Sequence, residues 1–274
     1  LNYKVHIIGG CTCDSIKKSM LISLHERGDI DLSISDSDWV HLTSIPDISI
    51  AINNILPKDC QLLILFINPE DLLYGCENII NRLYKLSEIL NKRGIRMIIF
   101  KPILPSFLSG TIENLSIVIE NINLALNSIR NKYPKHIILD IYDVPTCLEL
   151  EYFDNREWYL YGFLFSQLFQ FLLGSFLGSV IREILGKSPK VIACDLDDTI
   201  WGGEIGSIGT EGLELDRNTY EGRVFLDIQK IILGLKRKGM LICFISKNDP
   251  SIINTIFDNP NMILSNDDII YSTL

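Results

Sequence analysis

The sequence predicts an α/β protein made of two three-layer domains, each built on a parallel sheet. Apolar runs of strand length alternate with helix-length amphipathic runs, which is the pattern of βαβ units. The chain of 274 residues is long enough for two domains of ordinary size. After a long apolar stretch, a new apolar run from Val191 to Asp195 opens a second α/β pattern.

In the first half, predicted strands and helices alternate. The predicted strands are Val5 to Ile8, Asp31 to Ile34, Leu62 to Phe66, Arg96 to Phe100 and His136 to Asp140. The predicted helices are Ser15 to Arg27, Glu77 to Lys92 and Ile112 to Lys132. We expect this first domain to span residues 1–150.

A connecting segment is expected over residues 151–188, and it contains an apolar stretch without charge from Trp158 to Ile181. This stretch is long enough to cross a bilayer. Gln167 and Gln170 interrupt it, and soluble-looking segments lie on both sides, so a buried helix between the domains is favoured. A membrane or interfacial helix is the alternative.

The second domain is expected over residues 189–274. Its first strand, Val191 to Asp195, is followed by a glycine-rich turn and by a helix from Glu221 to Lys238. A strand from Met240 to Ser246 and a helix beginning after "NDP" complete the pattern.

Charge and cysteine content exclude some classes of protein. The net charge is −9 and the sequence pI is about 5.0, so a surface for nucleic acid is not expected. The seven cysteines lack the paired spacing of a zinc site. We therefore expect reduced thiols and a cytoplasmic location.

Residues 194–203, "CDLDDTIWGG", concentrate three carboxylates directly behind a strand. Asp195 and Asp197 are two positions apart, so in an extended chain they project to the same side. Their place is the C-terminal edge of a parallel sheet, where α/β proteins bind ligands. Two carboxylates so close repel each other unless a cation lies between them, and Mg²⁺ prefers oxygen ligands and also accepts phosphate. The cluster indicates Mg²⁺ bound by Asp195 and Asp197, although an Asp-x-Asp pair alone is also common in turns.

Polar and glycine residues around this cluster are candidates for holding a phosphorylated substrate. They are Thr199, Trp201, Gly202, Gly203, Ser246, Lys247 and Asn248. The glycines permit the tight turns of a loop that folds over a ligand, and its backbone amides can bind phosphate oxygens. The Ser-Lys-Asn triplet follows the next strand and offers a second phosphate holder. Trp201 is expected either to line the pocket or to pack the loop.

The order strand, Asp-x-Asp-x-Thr, glycine-rich flap, helix, strand, Ser-Lys-Asn resembles the haloacid dehalogenase superfamily. Within it, "DLDDTIWGGEIGSIGTEGLEL", "GRVFLDIQKIILGLKRKGMLICFISKND" and "NPNMILSNDDI" look like the FkbH-like family. The upstream pieces "NPEDLL" and "YFDNREWYLYGFLFSQ" look like its N-terminal half. The resemblance implies two Rossmann-like domains. The second would be truncated at its C-terminus, because the Lys and paired acids that complete the superfamily's metal site should follow "SNDDIIYSTL".

By that resemblance, Asp195 attacks phosphorus to form an aspartyl-phosphate, Asp197 is the acid and base, and Ser246 holds the phosphoryl oxygens. The family takes a glyceryl unit from 1,3-bisphosphoglycerate, removes its phosphate and loads it on an acyl carrier protein for polyketide biosynthesis. The resemblance thus implies Mg²⁺ as cofactor and the phosphopantetheine thiol of a carrier protein as partner. A plain Mg²⁺-dependent phosphatase and a non-catalytic docking domain of a polyketide assembly line are the alternatives.

Two cysteines are candidates for the thiol through which this family passes the glyceryl unit. Cys194 adjoins Asp195, but strand alternation directs it toward the core, which favours an inert thiol. Cys11 precedes a helix, whose N-terminus lowers the pKa of a thiol. The first half resembles the SGNH-hydrolase fold, and Cys11 falls near that fold's nucleophilic Ser. Since the later part has no Asp-x-x-His, a working triad is not expected, and a plain helix-entry turn is the alternative.

Overall fold

The computed structural model describes residues 2–9, 13–25, 30–37, 47–73, 76–103, 115–145, 152–248, 255–268 and 271–273. Contacts divide the chain into two compact units, Leu1–Gly186 and Lys187–Leu274. The long apolar helix therefore belongs to the first unit, whereas the sequence pattern suggests a separate connecting segment over 151–188.

The first unit is built on a five-stranded parallel sheet. Its strands are β1 (Asn2–Ile8), β2 (Asp31–Ser37), β3 (Leu62–Leu65), β4 (Arg96–Phe100) and β5 (Ile137–Leu139). Their order across the sheet is β2-β1-β3-β4-β5, and every neighbouring pair is parallel. This is a doubly wound order in which the chain reverses direction across the sheet between β1 and β3. All five strands predicted for this half are confirmed.

Helices cover both faces of this sheet. They are α1 (Asp14–His25), α2 (Ile48–Ile55), α3 (Pro69–Leu73), α4 (Cys76–Lys92), α5 (Leu115–Lys132), α6 (Asn155–Tyr161) and α7 (Gln167–Ile184). Val5 and Ile7 of β1 pack in one core cluster with α1 and α7. Ile8 packs in a second cluster with α2, α4 and α5. Because neighbouring strand residues point to opposite faces, the sheet becomes the middle of the predicted three layers.

The apolar stretch at the end of this unit folds as two helices. Gly162, with φ 68°, ends α6 in the left-handed conformation that glycine adopts without strain. Ser166 then caps α7, its hydroxyl accepting a hydrogen bond from the amide of Phe169 at 3.2 Å. Leu173 and Leu177 of α7 are fully buried against α1 and the sheet. In the described part of the chain, none of the helices has the length and apolar character needed to cross a membrane.

The second unit contains a smaller parallel sheet, with the strands β6 (Val191–Asp195), β7 (Leu241–Ile245) and β8 (Tyr271–Thr273) in that order. Two further helices, α8 (Ile205–Ile208) and α9 (Tyr220–Arg237), lie between β6 and β7. Helix α9 begins one residue before the predicted start because Thr219 is its N-cap, accepting from the amide of Gly222 at 3.1 Å.

Among the described residues, one face of the second sheet is packed and the other is more exposed. Ile242 and Phe244 are buried in a core cluster with α9, whereas Val191 and Ile245 are 51% and 53% exposed. The third layer predicted for this half is therefore not present among the described residues, because α9 covers one face only.

Candidate functional site

The parallel pairing of β6 and β7 brings the predicted acids and the Ser-Lys-Asn triplet to one edge of the second sheet. Asp195 is the last residue of β6 and lies in register with Ile245, the last residue of β7. Ser246 follows directly. The carboxyl ends of parallel strands meet at the same edge, so residues far apart in the chain become neighbours here.

A cavity of about 570 Å³ opens at this edge. Its lining residues are Ala193, Cys194, Asp195, Asp197, Asp198, Glu204, Ile245, Ser246 and Lys247. Asp195 and Asp197 thus share one cavity, as their spacing predicts. Four of the lining residues are acidic and one is a lysine, so the cavity is strongly negative. Because a phosphorylated ligand is itself negative, it can bind in this cavity only together with a cation.

The loop after β6 is folded by its own polar groups. Asp198 has φ 54°, a left-handed conformation unusual for a residue with a side chain. Its Oδ1 accepts from the amide of Gly203 at 2.7 Å, and Gly203 itself has φ 97°. The carboxylate of Asp198 therefore closes the turn that returns the chain past the acids.

The carboxylate of Asp197 is held by three donors. Its Oδ1 accepts from Nε1 of Trp201 at 3.0 Å and from the amide of Ile205 at 3.3 Å. Its Oδ2 accepts from Nδ2 of Asn248 at 2.6 Å. These bonds fix the orientation of the carboxylate. A carboxylate has about four acceptor positions, so one position on Oδ2 is left for a further partner.

Trp201 lies in the core of the unit, so the packing alternative is the one the structure adopts. Its side chain is fully buried, and only its indole N–H is directed at the site, toward Asp197. Gly202 is buried beside it, where an added Cβ would lie 2.7 Å from the ring of Phe225. Thr199 and Gly203 are also absent from the cavity lining, as are Trp201 and Gly202.

Ser246 and Lys247 do line the cavity. Ser246 is 8% exposed, and its Oγ accepts from the amide of Asn248 at 3.1 Å. Because that lone pair is used, the hydroxyl can direct its own proton toward a ligand oxygen. Asn248, predicted as a substrate-binding residue, instead donates its side-chain amide to Asp197.

The candidate cysteines fall in different positions. Cys194 is half-buried: it packs at the edge of the core cluster and also lines the cavity. Burial, together with the neighbouring Cys243, raises the pKa of the Cys194 thiol, so little of it is the reactive thiolate near neutral pH. Cys11 lies outside the described residues.

The residues of the cavity fit Mg²⁺ in the way that nucleotide- and phosphate-handling proteins hold it. Such sites use one or two carboxylates and complete the octahedron with water and substrate phosphate. Asp195 and Asp197 can supply those carboxylates. A cage made of protein side chains alone does not fit, because the residues described here include no group of three or more His, Cys, Asp or Glu side chains that could hold a metal ion.

Two acidic residues of the cavity were missed as site residues. Asp198 belongs to the acid cluster "CDLDDTIWGG", and its position in that cluster is the sequence feature that could have identified it. Glu204 lies in the loop before α8, and nothing in its spacing distinguishes it from an exposed acid. Asp268, in contrast, lies away from the cavity and binds Nζ of Lys236 at 2.7 Å and the amide of Ser265 at 2.8 Å.

Comparison with known proteins identifies a fold. No protein-family model matches the chain, and no curated protein matches it. Among solved structures, the N-terminal part of the protein BF1531 from Bacteroides fragilis, which contains a phosphatase domain complexed with Mg, matches at a TM-score of 0.77 and 20% identity. The match covers 99% of this chain and 76% of that one. The esterase EstA from Pseudoalteromonas sp. has a TM-score of 0.45 and 10% identity over 66% of this chain and 98% of its own. The likeness to BF1531 supports the α/β fold.

Proposed function

We propose that the second unit carries a Mg²⁺-dependent site that hydrolyses a phosphate ester by phosphoryl transfer. The observation that carries this proposal is the shared cavity, in which Asp195 and Asp197 lie together with Ser246 and Lys247 at the C-terminal edge of a parallel sheet. The similarity in fold to a protein described as containing a phosphatase domain with Mg supports it.

Four groups of the cavity, on Asp195, Asp197, Ser246 and Lys247, have a role in this reaction. A carboxylate oxygen of Asp195 attacks phosphorus, and the bond from phosphorus to the leaving oxygen breaks, giving an aspartyl-phosphate. Asp197 gives a proton to the leaving oxygen and later removes one from the water that releases inorganic phosphate and regenerates Asp195. The Ser246 hydroxyl donates to a phosphoryl oxygen, and Lys247 attracts the anionic substrate. Bound Mg²⁺ would supply charge neutralisation and alignment of the phosphoryl group.

The test is phosphate release from p-nitrophenyl phosphate and from a panel of small phosphate esters, with Mg²⁺ and with excess EDTA. Asp195→Asn is expected to lower the rate about 1,000-fold or more, because an amide oxygen is a poor nucleophile. Asp227→Asn is the matched control, since this carboxylate is exposed on α9 and pairs with Lys230. Activity that survives Asp195→Asn, or that ignores EDTA, would contradict the proposal.

We also propose, in finer detail, that the substrate is a glyceryl phosphate derivative and that the glyceryl unit passes to an acyl carrier protein. The support for this is the resemblance of the acid loop and the Ser-Lys-Asn stretch to the FkbH-like family. The experiment incubates the chain with 1,3-bisphosphoglycerate, Mg²⁺ and a holo carrier protein, and weighs both proteins by intact mass spectrometry. A glyceryl adduct on the carrier supports transfer, whereas phosphate release without an adduct indicates a plain phosphatase. If neither the adduct nor free phosphate appears, the result favours a docking role.

A further inference from the structure

We propose that Asn248 is a positioning residue that fixes Asp197 relative to the Ser246 hydroxyl. The inference rests on the proposed function, in which Asp197 is the acid and base and Ser246 binds the phosphoryl group. It assigns Asn248 a role through these two residues and not through contact with the substrate.

Asn248 binds both residues at once. Its Nδ2 donates to Oδ2 of Asp197 at 2.6 Å. Its backbone amide donates to Oγ of Ser246 at 3.1 Å. A single residue thus connects the acid loop after β6 with the hydroxyl that follows β7.

The other two donors to Asp197 cannot make this connection. Trp201 lies in the same loop as Asp197, and Ile205 is the first residue of α8 directly after that loop, so their bonds to Oδ1 fix the carboxylate only within this one connection after β6. Among the described donors to this carboxylate, Asn248 alone follows the neighbouring strand. Removal of its side chain therefore frees Asp197 to shift relative to Ser246 while the loop itself stays folded.

Such a shift matters because both residues must meet the same phosphorus and its oxygens. Displacement of a catalytic group by about 1 Å can reduce a rate about 100-fold. Ground-state binding is expected to suffer less, since Lys247 and the cavity carboxylates with their cation are untouched. The expected signature is a fall in kcat with little change in KM.

The kinetic experiment compares Asn248→Ala with Asn248→Asp in the full chain, with p-nitrophenyl phosphate and Mg²⁺. Asn248→Ala is expected to lower kcat about 10- to 100-fold and to change KM less than about 3-fold. Asn248→Asp should be worse than Asn248→Ala, because it has the shape of Asn but turns a donor into an anion facing Asp197. A residue that only fills space would give the reverse order, and that result would overturn the inference.

A second readout needs no activity. The indole N–H of Trp201 donates to Asp197, so its ¹H–¹⁵N resonance, assigned with Trp201→Phe, reports the position of that carboxylate. Both Asn248 variants should move this resonance, while Asn218→Ala, the same change at an exposed turn of this unit, should leave it in place. An unmoved resonance in the Asn248 variants would overturn the inference. If wild-type protein hydrolyses no ester but the resonance moves, the proposed function fails and the positioning contact stands.

Discussion

At the scale of single residues, Gln229 stabilises two irregular segments of the second unit. Its side chain is fully buried on α9. Nε2 donates to the carbonyl of Ile200 at 2.8 Å, in the acid loop, and Oε1 accepts from the amides of Ile263 at 2.8 Å and Leu264 at 3.3 Å. These backbone groups have no helix or sheet partner, so one amide side chain supplies the hydrogen bonds that burial requires.

Gln229→Leu is expected to destabilise the second unit by at least about 3 kcal/mol, because it leaves three backbone groups without partners at about 1 to 3 kcal/mol each. Urea unfolding of the full chain measures the loss. Gln167→Leu, at an exposed position of α7 where the amide contacts Glu157, should cost less than about 0.5 kcal/mol. Equal stabilities of the two variants would contradict this account.

At the scale of elements, α1 and α7 pack with their backbones close together. A Cβ added at Gly174 would lie 2.4 Å from the carbonyl oxygen of Ile16, and one added at Gly178 would lie 2.0 Å from Oγ of Ser23. Ser19 also donates to a carbonyl of α7. The two glycines are four positions apart and so lie on the same face of α7. They permit a close helix pair that larger residues would separate.

Gly174→Ala should destabilise the first unit by about 1 to 3 kcal/mol, because backbone atoms cannot yield to the new methyl group. Gly178→Ala should cost less, since the hydroxyl of Ser23 can rotate away. The control is Gly234→Ala in α9, where nothing lies within 4 Å of an added Cβ. This variant should gain up to about 1 kcal/mol from helix propensity. Thermal unfolding tests the order, and a stabilised Gly174→Ala would refute the packing explanation.

The helices and strands also show which elements can be predicted from the local sequence pattern. The inner strands β3 and β4 are found where continuous apolar runs predict them, because a strand buried on both faces must be apolar almost throughout. The edge strand β2 is more polar and has no fully buried residue. Helix α2 (Ile48–Ile55) was not predicted, since its short run of isoleucines reads equally well as a strand. Strand β8 is only three residues long and carries no clear pattern. Length, more than composition, decides which elements can be predicted.

At the scale of the whole molecule, two buried histidines make the stability of the first unit depend on pH. Nδ1 of His136 accepts from the amide of Met97 at 3.2 Å, and its other ring nitrogen lies 3.2 Å from the carbonyl oxygen of Ser87. This pattern requires a neutral ring, because a protonated Nδ1 has no lone pair for the Met97 amide. His6 is buried with its ring nitrogens on two hydroxyls of β2.

Burial lowers the pKa of both histidines below the ordinary value of 6.5, opposed only partly by Asp36 at His6 and by the Ser87 carbonyl at His136. The unfolded chain therefore binds protons more readily than the folded one as the pH falls below 6.5. Stability should be complete above this value and decline below it. Urea midpoints at pH 7.5 and 5.5 measure the decline. His136→Gln, which is uncharged at both values, should show a smaller decline, and an unchanged one would contradict the assignment.

The sequence alone determined the alternation of strands and helices and the edge of the second sheet at which Asp195, Asp197 and Ser246 meet. These depend on strand periodicity and on parallel pairing, which short stretches of chain already express. Only the tertiary structure decided that Trp201 is buried and that the apolar helix belongs to the first unit. It also decided that Asn248 donates a hydrogen bond to Asp197 and that Gln229 forms hydrogen bonds with two loops. Each of these depends on contacts between residues distant in the chain, and a hydrogen-bond donor has no sequence signal for the partner that folding brings to it.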